Sequence, residues 1–494
     1  MFRAGLAGLC AMAVALAAGD ALAVLVRPAA SPVLVVGSLL VDLAPGPVKE
    51  FAIRTFGESD KAVLVAVIVA LLVPVAFLLG VLAARRPVRA SAAAGGLGLV
   101  VAALAVTRPA AQAADALPSL AAALAGAILL ALPGARPDAA ESTDGTGPPR
   151  RRFLAAGLGA GVGAVLGDAA LRSAVPGPET AAAAPLPDHP ARPLPPGTDL
   201  KLPGLTPFIT PADRFYRVDT ALVIPRVDTR SWRLRVHGVR TVELGMGELL
   251  RLGLIESDIT LTCVSNEVGG RYAGNARWIG VPLATLLARA GIPAGTDQLL
   301  SRSHDGWTGG TPVAAVLDGR DAMVAVAMNG VALPPAHGFP ARLVVPGLYG
   351  FVAATKWVTD LRLTRYADEQ AYWTGRGWAT DAPVKTMSRI DLPTPFARLR
   401  AGPVVVAGVA WAQRRGIAAV EVRADGGPWQ LVRLAAVPGA DTWRQWTWTW
   451  QATPGTHRLE ARATDAAGRT QTGRRAAPFP SGAEGWHSVV VTVT

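Results

Sequence analysis

The sequence predicts a membrane-embedded α-helical region, then an α+β domain, then an immunoglobulin-like β-sandwich. Three observations carry this reading. Apolar runs near bilayer length crowd residues 1–172, mixed strand and helix patterns fill 201–382, and period-two patterns with hairpin turns fill 383–494. Residues 173–200 are rich in proline and read as a linker. The chain has 494 residues, 51% hydrophobic and 17% charged, which excludes a disordered or fibrous protein and is too apolar for an ordinary soluble enzyme. Two cysteines exclude a disulfide scaffold and a Cys-rich zinc or iron–sulfur protein.

The membrane region is read from hydropathy and from charge. Residues 4–26 (apolar apart from Asp20), 62–84, 91–106, 116–133 and 153–170 (interrupted by Asp168) give five helices. Arg3, the group Arg85, Arg86 and Arg89, and the group Arg150, Arg151 and Arg152 fall at alternate ends of these helices. Placing them on the cytoplasmic side predicts a multi-pass cell-membrane protein with everything after residue 171 extracytoplasmic. These loops also account for much of the formal charge of +12, and no basic stripe is interleaved with stacking aromatics, so nucleic acid is not a predicted partner. The run Arg150-Arg-Arg-Phe-Leu154 before an apolar Gly/Ala stretch has the form of a twin-arginine export signal without a small-residue cleavage site, so the helix is expected to stay as an anchor. The first histidine is His189, so residues 1–188 cannot hold haem by paired histidines.

Six prolines between Pro185 and Pro196 predict an extended, semi-rigid spacer. Beyond it, Trp232–His237 and Ile259–Cys263 read as strands, Val281–Ala290 as a helix closed by Gly291, and Arg342–Pro346 as a buried strand turning at Gly347. In the last region Val420–Ala424 enters an Asp425-Gly426-Gly427 hairpin. Trp446, Trp448 and Trp450 share one strand face, which predicts core tryptophans.

The chemistry centres on Cys263. Cys10 lies in a membrane helix, so the two cysteines do not pair, and Cys263 is either a buried core thiol or a soft metal ligand. It ends a strand and opens a polar loop, Glu267-Val-Gly-Gly-Arg271-Tyr272-Ala-Gly-Asn275, whose glycines let a large group approach. Cys263, Asn266, Trp278, Gly280 and Leu283 closely resemble the strand–Cys–x–x–Asn turn and Trp–x–Gly–x–x–Leu segment of the sulfite oxidase family. A second block, Ala327-Met-Asn-Gly330, then His337-Gly-Phe-Pro-Ala-Arg342, Val345-Pro-Gly347 and Lys356-Trp357, resembles that family's cofactor cradle.

The resemblance spans about residues 205–494 and implies a molybdopterin-dependent oxidoreductase carrying a molybdenum–molybdopterin cofactor. It implies Cys263 as the ligand to molybdenum. Tyr216, Arg217, Asn266, Ser303, His337, Arg342, Thr355 and Lys356 would be cofactor contacts, while Arg271, Tyr272 and Arg376 either line the substrate side or are structural. A phosphate wants such cations. The family's arginines after the Cys–x–x–Asn turn are Glu267 and Val268 here, and a substrate-side tyrosine is replaced by Trp378. The implied chemistry is therefore two-electron oxygen-atom transfer on a small sulfur compound or sulfoxide, not necessarily sulfite. No Cys-x-x-Cys-His motif occurs, so no haem is expected and electrons pass to another partner or to quinone. The C-terminal sandwich resembles a dimerisation domain, which allows a homodimer. A cofactor-free binding or adhesion protein that keeps the fold is the alternative. A transporter is disfavoured by the lack of intramembrane histidines and of clustered charges.

Overall fold

The computed structural model describes residues 1–108, 111–132 and 183–494. They form two compact units: the N-terminal helices, joined by the short segment Asp219–Pro225, and the rest of the chain.

The helical unit contains α1 (Phe2–Val26), α2 (Pro32–Leu43), α3 (Gly46–Phe56), α4 (Asp60–Arg85), α5 (Pro87–Val106) and α6 (Leu117–Ala131). Four stretches, Phe2–Val26, Asp60–Arg85, Pro87–Val106 and Ala113–Ala131, are long and apolar enough to cross a membrane. Ala11, Ala83, Ala90 and Leu130, one from each of α1, α4, α5 and α6, meet in a buried cluster, and small residues let such helix backbones approach closely. Two helices, α2 and α3, were not expected. The start of α2 had a signal, Pro32 at the first helical position, but twelve residues are too few to span a bilayer. Lys61 pairs with Asp219, and Arg27 with the buried Asp115. The expected helix at 153–170 and the Arg150–Leu154 motif lie outside the described residues.

At the start of the second unit the proline run departs from the expected spacer. Residues 185–196 are extended but not a free spacer: the chain is bonded along the domain. His189 pairs in parallel with Ile255, Leu254 N donates to Asp188 Oδ2 at 2.7 Å, and Ala191 N donates to Glu256 Oε2 at 3.0 Å. Lacking most N–H donors, the proline run leaves its few free amides and carbonyls to dock.

In chain order the α+β part runs β1 (Arg233–His237), β2 (Thr241–Gly245), α7 (Met246–Leu249), β3 (Ile255–Thr262), β4 (Ala273–Pro282) and α8 (Leu283–Ala290). There follow β5 (Gln298–Ser303), β6 (Thr308–Pro312), α9 (Val313–Leu317), β7 (Met323–Met328), β8 (Val331–Ala332), β9 (Arg342–Val344), α10 (Gly350–Ala353) and β10 (Val358–Thr364). One sheet is ordered β2-β1-β10-β5-β6 and the other β3-β4-β7-β8, with β9 on β7. The second sheet buries Phe215, Ile259, Leu261, Trp278, Met323, Met328 and Val344. Residues 281 and 282 extend β4, so α8 starts two residues later than its sequence pattern suggested.

The C-terminal part is all β: β11 (Met387–Leu392), β12 (Arg398–Leu399), β13 (Gly402–Trp411), β14 (Ile417–Ala424), β15 (Gln430–Leu431), β16 (Arg433–Leu434), β17 (Arg444–Ala452), β18 (Gly455–Asp465) and β19 (His487–Val493). Sheets β11-β13-β17-β16 and β12-β19-β18-β14-β15 share one core. Trp446 and Trp450 are buried in it and Trp448 packs against it, so the aromatic face is core as expected.

Candidate active site

β3 delivers Cys263. The strand ends at Thr262, and Cys263 is 9% exposed at the start of a loop that closes on itself. Cys263 N donates to the Tyr272 carbonyl at 2.9 Å, Asn266 N to the Cys263 carbonyl at 3.1 Å, and Gly270 N to the Glu267 carbonyl at 2.8 Å. Asn266 serves this closure, since its Oδ1 accepts from Tyr272 N at 2.8 Å. The asparagine of the motif therefore sets the loop's shape.

The thiol is surrounded by polar and aromatic groups. Burial pushes it up, while hydrogen bonds from Ser265 and the Lys356 ammonium pull it back. Tyr216 is pushed up by burial first and by the Cys263 sulfur second. Tyr349 is pushed up to about 12, again mainly by burial, with Cys263 contributing. Tyr349 was not picked out from the sequence, because its only signal is a buried strand-to-turn position.

An aromatic chain ties this loop to a cationic block. The Tyr272 and Tyr216 rings lie 6.3 Å apart, Tyr216 stacks on Phe215 at 5.2 Å, and Phe215 meets His337 edge-on at 5.6 Å. His337 is buried in a short turn, Pro335–His337. Its Nε2 lies 2.7 Å from the Ala212 carbonyl, which can only accept, so Nε2 carries the proton and Nδ1 is a bare acceptor. That Nδ1 is buried without a hydrogen-bond partner. Burial, then Arg342, and further Lys356 and Arg217, hold His337 down to about 4, so the ring is neutral at pH 7.

Arg342 opens β9. It is 4% exposed, donates from Nη1 to the His337 carbonyl at 3.0 Å and stacks 5.1 Å over Trp278. Lys356 lies 5.6 Å over Trp357. Gly338 makes the junction possible: its φ is +112°, and a Cβ there would stand 2.9 Å from Arg342 Cβ and 3.2 Å from Lys356 Cα. Thr355 is fully buried and bonds Ser301 Oγ through Oγ1 at 2.6 Å, so its hydroxyl braces the Lys356 segment against β5. Ser303, at the end of β5, is 3% exposed and its Oγ has no partner.

The structure thus brings Cys263, Tyr216, Arg217, Tyr272, His337, Arg342 and Lys356 into one neighbourhood, with Thr355 and Asn266 as braces. Arg271 is exposed. Arg376 stacks 3.7 Å from the Tyr372 ring, and Trp378 joins an aromatic group with Phe351, Trp373 and Phe479.

A molybdopterin group fits these residues. Among the described residues no set of three or more His, Cys, Asp or Glu could share a metal ion. A metal at Cys263 would take one protein ligand and need the rest from a group that arrives with it. Two buried, unpartnered polar atoms, His337 Nδ1 and Ser303 Oγ, are costly to leave unpaired and suit such a polar group. The three cations that act on His337 suit its phosphate.

Comparison with known proteins agrees. Residues 221–373 match the oxidoreductase molybdopterin binding domain. The chain is 31% identical to sulfite oxidase of Gallus gallus over 297 residues, half of this chain and 63% of that protein. It is 28% identical to mitochondrial sulfite oxidase of Homo sapiens over 49% of this chain and 52% of that protein. The chain thus spans between half and two thirds of the length of these curated relatives. The crystal structure of the sulfane dehydrogenase SoxCD from Paracoccus pantotrophus shares the fold, with a TM-score of 0.51 and 24% identity over 58% of this chain and 84% of that one. Residues 221–373 thus carry an oxidoreductase molybdopterin binding domain, and the chain is similar to the sulfite oxidases.

Proposed function

We propose that this chain is a membrane-anchored, extracytoplasmic molybdopterin-dependent oxidoreductase that moves an oxygen atom to or from a small sulfur compound or sulfoxide. One observation carries the reading: the Lys356 ammonium acts on the Cys263 thiol and, with Arg342 and Arg217, on His337, whose buried Nδ1 lacks a partner. When bound, the cofactor supplies the two-electron oxygen-atom chemistry. Cys263 would ligate the metal, His337 and Ser303 would bond the pterin, and Arg342, Lys356 and Arg217 would hold its phosphate.

The protein's own residues then bind, orient and exclude water. Neutral His337 offers an acceptor without adding charge to the cluster. Burial of Arg342 and Lys356 strengthens their hold on an anion. Glu267 and Val268, half-buried in the turn beyond Cys263, place a carboxylate and an apolar group where an anionic substrate would want cations. This favours a neutral sulfoxide or thioether over sulfite. Arg271, Tyr272 and Arg376 would lie on the substrate side, and the electrons would pass through a redox partner or quinone. The four apolar helical stretches support membrane anchoring, and the placement of the arginines supports an extracytoplasmic site. The paired sheets of the C-terminal part support an immunoglobulin-like sandwich, and its resemblance to a dimerisation domain supports a homodimer.

The test is turnover by full-length protein from a host that makes the cofactor and exports folded proteins. Reduction of methionine sulfoxide or dimethyl sulfoxide, or oxidation of a thioether, is expected to exceed sulfite oxidation. Molybdenum-free protein that merely binds a ligand would support the adhesion reading instead and overturn this one.

A further inference from the structure

β3 is an edge strand, and an edge leaves a row of backbone groups to be satisfied. Among the described residues no further strand covers this one. Near its start the edge is taken by His189. Near its end it is taken by the C-terminal β part: Thr260 N donates to the Asp441 carbonyl at 2.9 Å, Trp443 N to Thr260 Oγ1 at 2.7 Å, and Gln413 Nε2 to the Thr260 carbonyl at 2.9 Å. The strand that presents Cys263 is therefore held by residues more than 140 positions downstream.

The loop beyond Cys263 is held from the same side. Arg389 on β11 is 6% exposed and donates from Nη1 to the Gly270 carbonyl at 2.9 Å. Its Nη2 donates to Thr206 Oγ1 at 2.8 Å, and its Nε bonds Asp391 at 2.6 Å in a buried ion pair. His487 on β19 accepts from Ile390 N at 2.9 Å and lies over Gly269, where a Cβ would come within 2.2 Å of the imidazole. Gly269 has φ +82°, so the loop needs glycine there both for its turn and for this contact.

We infer that the C-terminal sandwich is part of the cofactor site, with Arg389 the positioning residue that fixes the Cys263 loop through the Gly270 carbonyl. The inference rests on the reading of Cys263 as metal ligand. Loop 263–272 is short and closed, so a shift at Gly270 passes through Asn266 and Tyr272 to the Cys263 backbone.

The experiment uses the full chain with Cys10→Ala, which leaves Cys263 as the single thiol. Arg389→Lys keeps a cation beside Asp391 but cannot keep the fork to Gly270 and Thr206. Arg389→Met with Asp391→Leu removes the pair and leaves no buried charge unmatched. Two quantities are read below the unfolding transition: alkylation of Cys263 in cofactor-free protein, and loss of molybdenum from loaded protein. Both variants are expected to alkylate faster, and to lose molybdenum about tenfold to a hundredfold faster, the usual effect of removing a group that orients a metal ligand. X-ray absorption should show the sulfur shell of the metal disturbed. A lowered unfolding midpoint with unchanged alkylation and metal loss would mean a merely structural role and overturns the inference. Should neither variant fold, hydrogen exchange on the unmodified chain decides: residues 266–272 as protected as β11 support the clamp, and fast exchange there rejects it. Wild-type protein without molybdenum would sink the functional reading, while the alkylation arm would still decide the role of Arg389.

Discussion

Gly338→Ala tests whether the cationic block is built as described. The residue sits at φ +112°, a conformation essentially reserved for glycine, and forcing another residue there costs about 1–3 kcal/mol. The added methyl would meet Arg342 Cβ at 2.9 Å and Lys356 Cα at 3.2 Å. Neither atom is the far end of a flexible side chain, so the backbone must move, and such overpacking costs roughly 1–3 kcal/mol more. The two effects sum to about 2–6 kcal/mol, which at about 2–4 °C per kcal/mol lowers the unfolding midpoint by roughly 4–24 °C. The shift should also part Arg342 from the His337 carbonyl and so reduce bound molybdenum. Gly319→Ala separates the two causes, since Gly319 has φ +84° and open space around it; it should lose only the conformational part. The assay is thermal unfolding by circular dichroism, with metal content on the same samples. A Gly338→Ala protein that melts with the wild type and keeps its molybdenum would refute the packing argument.

Three further predictions follow from buried groups. Ser303→Ala removes an unpartnered buried hydroxyl, so cofactor-free protein should be unchanged or stabilised by about 1 kcal/mol, whereas loaded protein should release the cofactor faster; chemical denaturation and metal retention check the two halves. His337 is held down to about 4 against an ordinary 6.5, so the unfolded chain binds its proton first. Stability is therefore full above about pH 6.5 and falls as pH drops towards 4, by roughly 3 kcal/mol from this residue; in denaturant titrations of cofactor-free protein, His337→Gln should fall less steeply over that window. Trp446 is fully buried between the two C-terminal sheets, and Trp446→Ala should cost about 3–5 kcal/mol in the same measurement.

Sequence carried those parts of the molecule whose information is local. The tryptophans of β17 announced a core face through their period of two, and hydropathy located the four long apolar helices. Cys263, His337, Arg342 and Lys356 were legible because their motifs are short. Less legible were the braces. Arg389 and His487 lie more than 110 residues from the loop they hold, and an arginine in a strand reads as a surface cation until its partners, Gly270 and Asp391, are seen. The proline run misled for a related reason. Its composition reports stiffness correctly, but the few amides that dock it on β3 are set by tertiary contact. Asn266 and Thr355 were read as cofactor contacts, yet their side-chain oxygens are used on Tyr272 N and Ser301, which spacing alone does not reveal.

On the function proposed above, the Cys263 sulfur holds a molybdenum–pterin group. The most direct test quantifies molybdenum and pterin in full-length protein purified from membranes of a cofactor-producing host, beside Cys263→Ser prepared identically. Metal and pterin are expected together at stoichiometric levels in the wild type, with loss of the metal in a variant that still folds. Equal molybdenum in both proteins, or none in the wild type, would contradict it.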